Sequence, residues 1–458
     1  MTALREELLR REIAYLRQEL EVSRATARDS NSSRQRTAHG KTTMLRSLPS
    51  TAGGWTRLLR QLRNLLRAAI TGVAGVETNT PAPRRKILVV APHLPLFDQS
   101  SGCLRLKTII SMMGADDWSI AFGSMFDLNG QPGVLANAAD RGRYEGVLRE
   151  AGVSSFLYGP DEITNFVEKQ GGDLAWAFLS FPHIAAHFMP VIRSHCPTTR
   201  IAYDMVDFHS LRMRREAELS SDSELLAAAE RQRAVEVACA SAADVTFAVS
   251  VEEKAVLLDA APVAVVEVLP NIFEPPFASP PGPEARKDLF FVGGFWHRPN
   301  GDAVRWFVER ILPLIQREAP NIILRIAGAN ADDEVLALGR QPGVEVLGFV
   351  PDLAPLFDRH RVFVAPLRYG AGMKGKVGQS LAYGLPVVTT PIGAEGMGLR
   401  DGTHLLIASE EEAFALQVLR LLSDDALWSR LSIAGRALIE RTLSVDVVRG
   451  QLKAVLDG

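Results

Sequence analysis

From position 86 onward, short apolar runs alternate with stretches whose apolar residues recur every three to four positions. The runs cover 86–91 (KILVVA), 118–122, 154–158, 173–179 (DLAWAFL), 199–203 (TRIAY), 244–249 (DVTFAV) and 264–269. Helical spacing fills the intervals and is longest near 211–241. Strands alternating with helices predict a parallel sheet wound on both faces. Residues 270–287 contain six prolines, cannot form a helix, and mark a linker. A second series follows, with strands at 288–292, 322–327, 344–347, 361–365, 386–390 and 404–407. Its helices are expected near 301–316, 352–359, 375–384 and 410–424. In the first of these Val304, Phe307, Val308, Ile311 and Ile315 share a face, and Asn300 is the expected cap.

The chain before position 86 has a different texture. In 1–28, Leu4, Leu8, Leu9, Ile13, Leu16 and Leu20 recur at helical spacing, which fits either self-association or a docked helix. Residues 29–53 read as a polar linker. Over 55–70 (WTRLLRQLRNLLRAAI) one face is apolar and is flanked by Arg57, Arg60, Arg63 and Arg67. Such a helix can lie in a membrane interface or pack on its own domain, and both readings stay open. The expected organisation is a helical extension over 1–85, an N-terminal Rossmann-like domain over 86–270, a linker over 271–287 and a second Rossmann-like domain over 288–458. Doubly wound sheets bind ligands at the carboxyl ends of their strands, so the cleft between two facing domains is the default site.

Composition narrows the function classes. The 458 residues are 47% hydrophobic and carry a formal net charge of −2, which supplies no field for a polyanion, so nucleic acid is not an expected partner. Cys103, Cys196 and Cys239 lie far apart, which predicts neither a disulfide scaffold nor a structural zinc site. The first twenty residues are charged throughout, unlike a secretory signal, and no apolar run reaches the roughly 18 residues of a bilayer span. The expected location is cytoplasmic, with peripheral contact to the inner face of a membrane if 55–70 inserts.

The loops after the strands carry the chemistry. A dinucleotide oxidoreductase should show GxGxxG after its first strand, but residues 92–106 contain only Gly102 and 293–302 lack the pattern, which argues against an NAD-linked enzyme. The Walker lysine motif is absent too. After the strand at 361–365 the chain reads Gly370-Ala371-Gly372-Met373-Lys374-Gly375-Lys376 and then enters a helix. Glycine backbone, a helix N-terminus and two lysines can cradle a diphosphate. A solvated glycine-rich loop is the equal alternative at this point.

Residues 361–398, with GQSLAYGLPVVTTPIGAEGM, resemble the donor-binding region of glycosyltransferase family 4, the group 1 transferases of the GT-B fold. FVGGFWHRPNGDAVRWF and LGFVPDLAPLF resemble two further segments of that family. The resemblance covers 288–442, is weaker over 86–270 and does not include 1–80. It implies an α/β GT-B architecture of two facing, doubly wound domains. It also implies transfer, with retention at the anomeric carbon, of a sugar from a nucleotide-diphosphate donor to a glycan or lipid-linked hydroxyl acceptor. The nucleotide sugar would be a co-substrate, with no other cofactor and no metal. Carried over by position, Lys376 and the backbone from Gly372 to Gly375 would meet the diphosphate; the family's usual Arg and Lys after the first strand of this domain are replaced by residues 296–300, so Lys374 and Arg298 would share the phosphate charge. Gln379 would meet the ribose, Phe349 and Val350 the base, and Gly293 and Gly294 would let a loop approach the phosphates. Ser101 and Gly102, with Arg105 one turn later, would face the diphosphate from the other domain, and Glu395 would lie near the sugar or ribose. His183, Asp207 and His209 are the candidate catalytic groups. The family's paired glutamates correspond to Ala371 and Gln379, so both carboxylates are missing, and a non-catalytic nucleotide-sugar-binding subunit is the alternative.

Overall fold

A computed structural model describes residues 85–276 and 279–458. The expectations for 1–84, including the membrane helix at 55–70 and self-association through 1–28, lie outside the described residues.

The first sheet contains β1 (Lys86–Ala91), β2 (Ser119–Ser124), β3 (Val153–Tyr158), β4 (Leu174–Ser180), β5 (Arg200–Asp204), β6 (Val245–Ala248) and β7 (Val266–Val268). These seven strands pair in the order β3-β2-β1-β4-β5-β6-β7. The second contains β8 (Lys287–Val292), β9 (Leu324–Ala327), β10 (Val344–Gly348), β11 (His360–Ala365), β12 (Val387–Thr389) and β13 (Leu406–Ile407). These six pair in the order β10-β9-β8-β11-β12-β13. Every pairing is parallel. The central strands are apolar without alternation because helices cover both faces. In β1, Val89 packs on one face with Phe122 and Phe178, while Leu88 and Val90 pack on the other with Leu179 and Phe188. In each sheet the strand order reverses beside the first strand, between β1 and β4 and between β8 and β11. A crevice opens there at the carboxyl ends.

Three boundaries differ from the sequence expectation. The helix expected near 211–241 is two helices, His209–Ser220 and Ser223–Ala242. Ser221 turns left-handed at φ 55°, and Asp222 caps the second helix by accepting from Glu224 and Leu225 N–H. The helix expected near 301–316 starts earlier, at Arg298, and passes through a π turn at Phe307–Ile311 before continuing over Leu312–Glu318. Asn300 is therefore not its cap. The residue lies buried inside the first turn, behind Pro299, and its amide nitrogen donates to the Gly294 carbonyl.

The third difference concerns the second domain, which does not retain the chain to position 458. The helix Val445–Asp457 crosses back and gives Val448, Leu452 and Leu456 to the core of the first domain. Burying three such side chains contributes roughly 5 kcal/mol before ordering entropy is subtracted. Trp176 Nε1 donates to the Leu456 carbonyl at 3.1 Å, and Arg449 pairs with Asp116 at 2.6 Å. Among the described residues, no helix is long and apolar enough to cross a membrane.

Candidate functional site

On the first domain, the turn after β5 brings the catalytic candidates together. Val206 is left-handed at φ 67°, which redirects the chain so that Asp207 and His209 face the crevice. Asp207 Oδ1 lies 2.8 Å from His209 Nδ1, and its Oδ2 accepts from Arg212 Nε at 3.3 Å. Glu236 stands 3.6 Å from the same His209 nitrogen. His183, near the start of the helix Pro182–His195, and His209 both lie against Phe181, with ring centroids 5.9 and 5.6 Å away. Burial opposes charge on both members of the Asp207–His209 pair, but their mutual attraction wins. It holds the Asp207 carboxyl well below its ordinary range and raises the His209 imidazole well above its own. His209 is thus an imidazolium near neutral pH and has no lone pair with which to take a proton. That leaves Asp207, the carboxylate of this ion pair, as the member able to accept a hydrogen bond.

Arg105 also departs from expectation. It is buried, and its two terminal nitrogens donate to the Asp204 carboxylate at 2.8 and 2.9 Å. It donates further to the carbonyls of Leu269 at 2.7 Å and Pro270 at 3.2 Å. This guanidinium ties the helix Ser101–Ala115 to the end of β5 and to the start of the linker, so it is not presented to a diphosphate.

On the second domain, β8 ends at Val292 and runs into Gly293 and Gly294. A Cβ on Gly293 would stand 2.6 Å from Lys376 Nζ and 2.8 Å from the Asn300 amide. Glycine is what lets the lysine reach this point. Asn300 Oδ1 accepts from Lys376 Nζ, while its Nδ2 donates to the Gly294 carbonyl at 2.7 Å. The ammonium also lies 4.4 Å from the centre of the Phe291 ring. Burial, with Lys374 nearby, pushes the Lys376 amine down to about 7. An ammonium has three donors, and Asn300 takes one of them.

Lys374 is committed differently. Its buried Nζ donates to the carbonyls of Ala371 at 3.2 Å and Gly372 at 2.6 Å, and to Glu395 Oε2 at 3.5 Å. All three donors therefore shape its own loop, and the expected direct contact with phosphate is corrected to a supporting one. Glu395 in turn accepts both terminal nitrogens of Arg215, at 2.8 and 2.9 Å. Arg298, expected at the phosphates, is largely exposed and pairs with Glu216 of the first domain at 3.1 Å.

Two helix N-termini, one from each domain, meet at this loop. A Cβ on Gly375, the first residue of the helix Gly375–Ala382, would stand 2.5 Å from Ser101 Cβ at the start of the helix Ser101–Ala115. Gly372, left-handed at φ 66°, lies under Asp207, whose Cβ would be 3.1 Å from a Cβ at 372. Neither helix has an acidic residue in its first turn. Converging dipole ends beside an ammonium create a site for an anion. Gln379 lies one turn along the same helix. Phe349 follows β10 and is 45% exposed, as a stacking platform must be, while Val350 packs inward against Phe357 and its neighbours. Among the described residues, no group of three or more His, Cys, Asp or Glu side chains could hold a metal.

The sequence had not marked Asn300, His297, Arg212 or Arg215 as site residues. His297 is pushed down to about 3 by burial and by Arg212, against the pull of Asp207, so it faces the crevice as a neutral imidazole.

Residues 286–424 match the family model for Glycosyl transferases group 1. An uncharacterized 44.6 kDa protein in the cps region of Klebsiella pneumoniae is 29% identical over 147 residues, which is 29% of this chain and 36% of that relative. The chain thus matches little more than a third of its curated relative's length. Sucrose-phosphate synthase from Thermosynechococcus elongatus superposes with a TM-score of 0.61 at 14% identity, covering 82% of this chain and 98% of that one. HepE of Anabaena, crystallised in complex with UDP and glucose, gives 0.61 at 13% identity over 82% of this chain and all (100%) of its own. At such identities the structures establish the architecture. The chain carries a Glycosyl transferases group 1 domain over 286–424, set within the two-domain GT-B fold.

Proposed function

We propose that the protein is a glycosyltransferase that moves a sugar from a nucleotide-diphosphate donor to a hydroxyl acceptor with retention at the anomeric carbon. The observation that carries this reading is the meeting of two helix N-termini at Lys376, whose ammonium has Asn300 as its protein acceptor. The diphosphate would take the two remaining donors of Lys376 and the first backbone N–H groups of the helix Gly375–Ala382. Phe349 would stack on the base, Gln379 would hydrogen-bond the ribose, and Glu395 would face the sugar. In the reaction the bond from the anomeric carbon to the diphosphate oxygen breaks and a bond to the acceptor oxygen forms on the same face. The acceptor proton passes to the departing phosphate oxygen, and the nucleoside diphosphate leaves. Fixed dipoles and Lys376 stabilise the charge that develops on the leaving group. Asp207, ionised and within the crevice, orients the acceptor hydroxyl.

The acceptor we infer is a precursor of a bacterial cell-surface polysaccharide or glycolipid, handled at the inner face of a membrane through residues 55–70. The relative's place in a cps region supports this. Removing residues 1–80 should abolish binding to anionic liposomes and transfer to a lipid-linked acceptor, and persistence of both would exclude the membrane role. A second reading, a non-catalytic nucleotide-sugar-binding subunit, is favoured by Ala371 and Gln379 where the family has carboxylates. The two part in one experiment. UDP-, GDP- and ADP-linked sugars are offered with a panel of hydroxyl acceptors, and the anomeric protons of the products are followed by NMR. Turnover with retained configuration supports the enzyme, whereas saturable binding without turnover supports the subunit.

A further inference from the structure

The donor-side loop is held from the opposite domain. Arg215, on the helix His209–Ser220, donates from Nη1 to the Gly370 carbonyl at 2.6 Å and to Glu395 Oε2 at 2.9 Å, and from Nη2 to Glu395 Oε1 at 2.8 Å. Gly370 opens the glycine loop, and Glu395 follows the short helix Pro391–Ala394 after β12. Glu395 also accepts from Lys374, which closes the carbonyls of Ala371 and Gly372 around itself. Arg215 therefore contacts both ends of the network that shapes 370–375. Arg212, Arg215 and Glu216 share one face of their helix, and Glu216 reaches Arg298 across the same boundary.

We propose that Arg215 is a positioning residue that couples apposition of the two domains to assembly of the phosphate loop. The proposal rests on the donor-binding reading of that loop. Gly370 and Gly372 are both at positive φ, 151° and 66°, backbone that needs outside support to hold one shape. A bidentate guanidinium supplies that support with fixed geometry. Because the fork comes from the first domain, the loop takes its binding shape only when the domains are together. Lys376 and the helix start then face the diphosphate as the cleft closes. Ala371 offers no side-chain group to the loop; Glu395 is the carboxylate that Lys374 donates to, and its direction is set by Arg215 and Lys374.

The test uses the full chain. Hydrogen exchange at residues 370–375 is measured by mass spectrometry without ligand, and UDP, GDP and ADP are titrated by calorimetry. Arg215→Ala should speed exchange in 370–375 at least tenfold and weaken the nucleotide that the wild type binds by tenfold or more. Glu395→Gln should act in the same direction, and the double variant should lose clearly less than the product of the two single losses, because both disrupt the shared Arg215–Glu395 pair. Arg215→Lys keeps the charge but not the fork, so it should recover part of both losses. It also carries the test if the alanine variant does not fold. Unchanged exchange and affinity in these variants, or single losses that multiply in the double variant, would overturn the proposal. If the wild type binds none of the three nucleotides, the donor reading fails, and the exchange comparison still decides the role of Arg215.

Discussion

Replacing Lys376 by Met separates what the lysine costs the folded protein from what it contributes to an anion. The amine is held down to about 7 by burial and by Lys374, against 10.5 for an ordinary lysine. At pH 7 the unfolded chain is fully protonated here and the folded chain about half. The difference corresponds to about 4 kcal/mol, reduced to on the order of 3 kcal/mol by the partial exposure of the residue. Methionine keeps the contact with Phe291 and removes that cost, but leaves the buried Asn300 Oδ1 without its donor, which takes back about 1–3 kcal/mol. The net expectation is a ligand-free variant as stable as the wild type or more stable, by up to about 2 kcal/mol. The sign also depends on pH. Because the folded value lies below the unfolded one, the unfolded state binds more protons between about 7 and 10.5, so the wild type gains stability from this group as pH rises through that window. Toward pH 10.5 that cost vanishes and only the undonated Asn300 Oδ1 remains, so the variant should become less stable than the wild type by about 1–3 kcal/mol. Affinity should move the other way. Losing two charge-assisted hydrogen bonds of about 1.5–3 kcal/mol each weakens nucleoside diphosphate binding by about 100-fold or more. Chemical denaturation at pH 7 and pH 10, with calorimetry of UDP, GDP and ADP, reads both quantities. A variant clearly less stable than wild type at pH 7 that binds nucleotide with unchanged affinity would refute this account of Lys376.

Further consequences follow from the same geometry. Protonated Lys376 is the form that binds, so affinity for a nucleotide sugar measured by calorimetry should fall roughly 20-fold between pH 6.5 and 8.5, and a flat profile would argue against contact with the diphosphate. Gly293→Ala would place a methyl 2.6 Å from Lys376 Nζ, so nucleotide affinity should drop at least tenfold with little change in melting temperature. Arg105→Met strips a buried carboxylate of its partner and should destabilise the first domain by about 3–5 kcal/mol in urea titration, whereas a diphosphate ligand would instead show its loss in affinity. Asp207→Asn should lower the His209 titration midpoint by NMR, because the carboxylate is what keeps that ring charged, and an unmoved midpoint would reassign the effect to Glu236.

The two winding series were legible because buried parallel strands are apolar without alternation, and KILVVA and DLAWAFL announce themselves. Breaks set by single residues were not: Ser221 at positive φ and the Asp222 cap divide a helical pattern that has no proline or glycine in it. The return of 445–457 to the first domain was hidden for a related reason, since an amphipathic helix does not record which core it covers. Within the site, the loop 370–376 stands out by composition, and only the family resemblance, not the local pattern GMKGK, singles out Lys376 from Lys374. Only the fold shows that Lys374 folds back on its own carbonyls while Lys376 passes Gly293 to reach Asn300. Arg105 was misjudged because its partner Asp204 lies 99 residues away. Arg215 looks like one more solvated arginine in RMRRE until the second domain is placed against it.

The central claim is that the cradle at Lys376 receives the diphosphate of a nucleotide-sugar donor. A crystal structure with UDP, GDP or ADP, whichever binds, tests it most directly. The account predicts phosphate oxygens within hydrogen-bonding distance of Lys376 Nζ and of the first amides of the helix Gly375–Ala382, with the base against Phe349. A nucleotide bound away from this loop, or phosphates held by Lys374 and Arg105 with Lys376 still turned to Asn300, would contradict it.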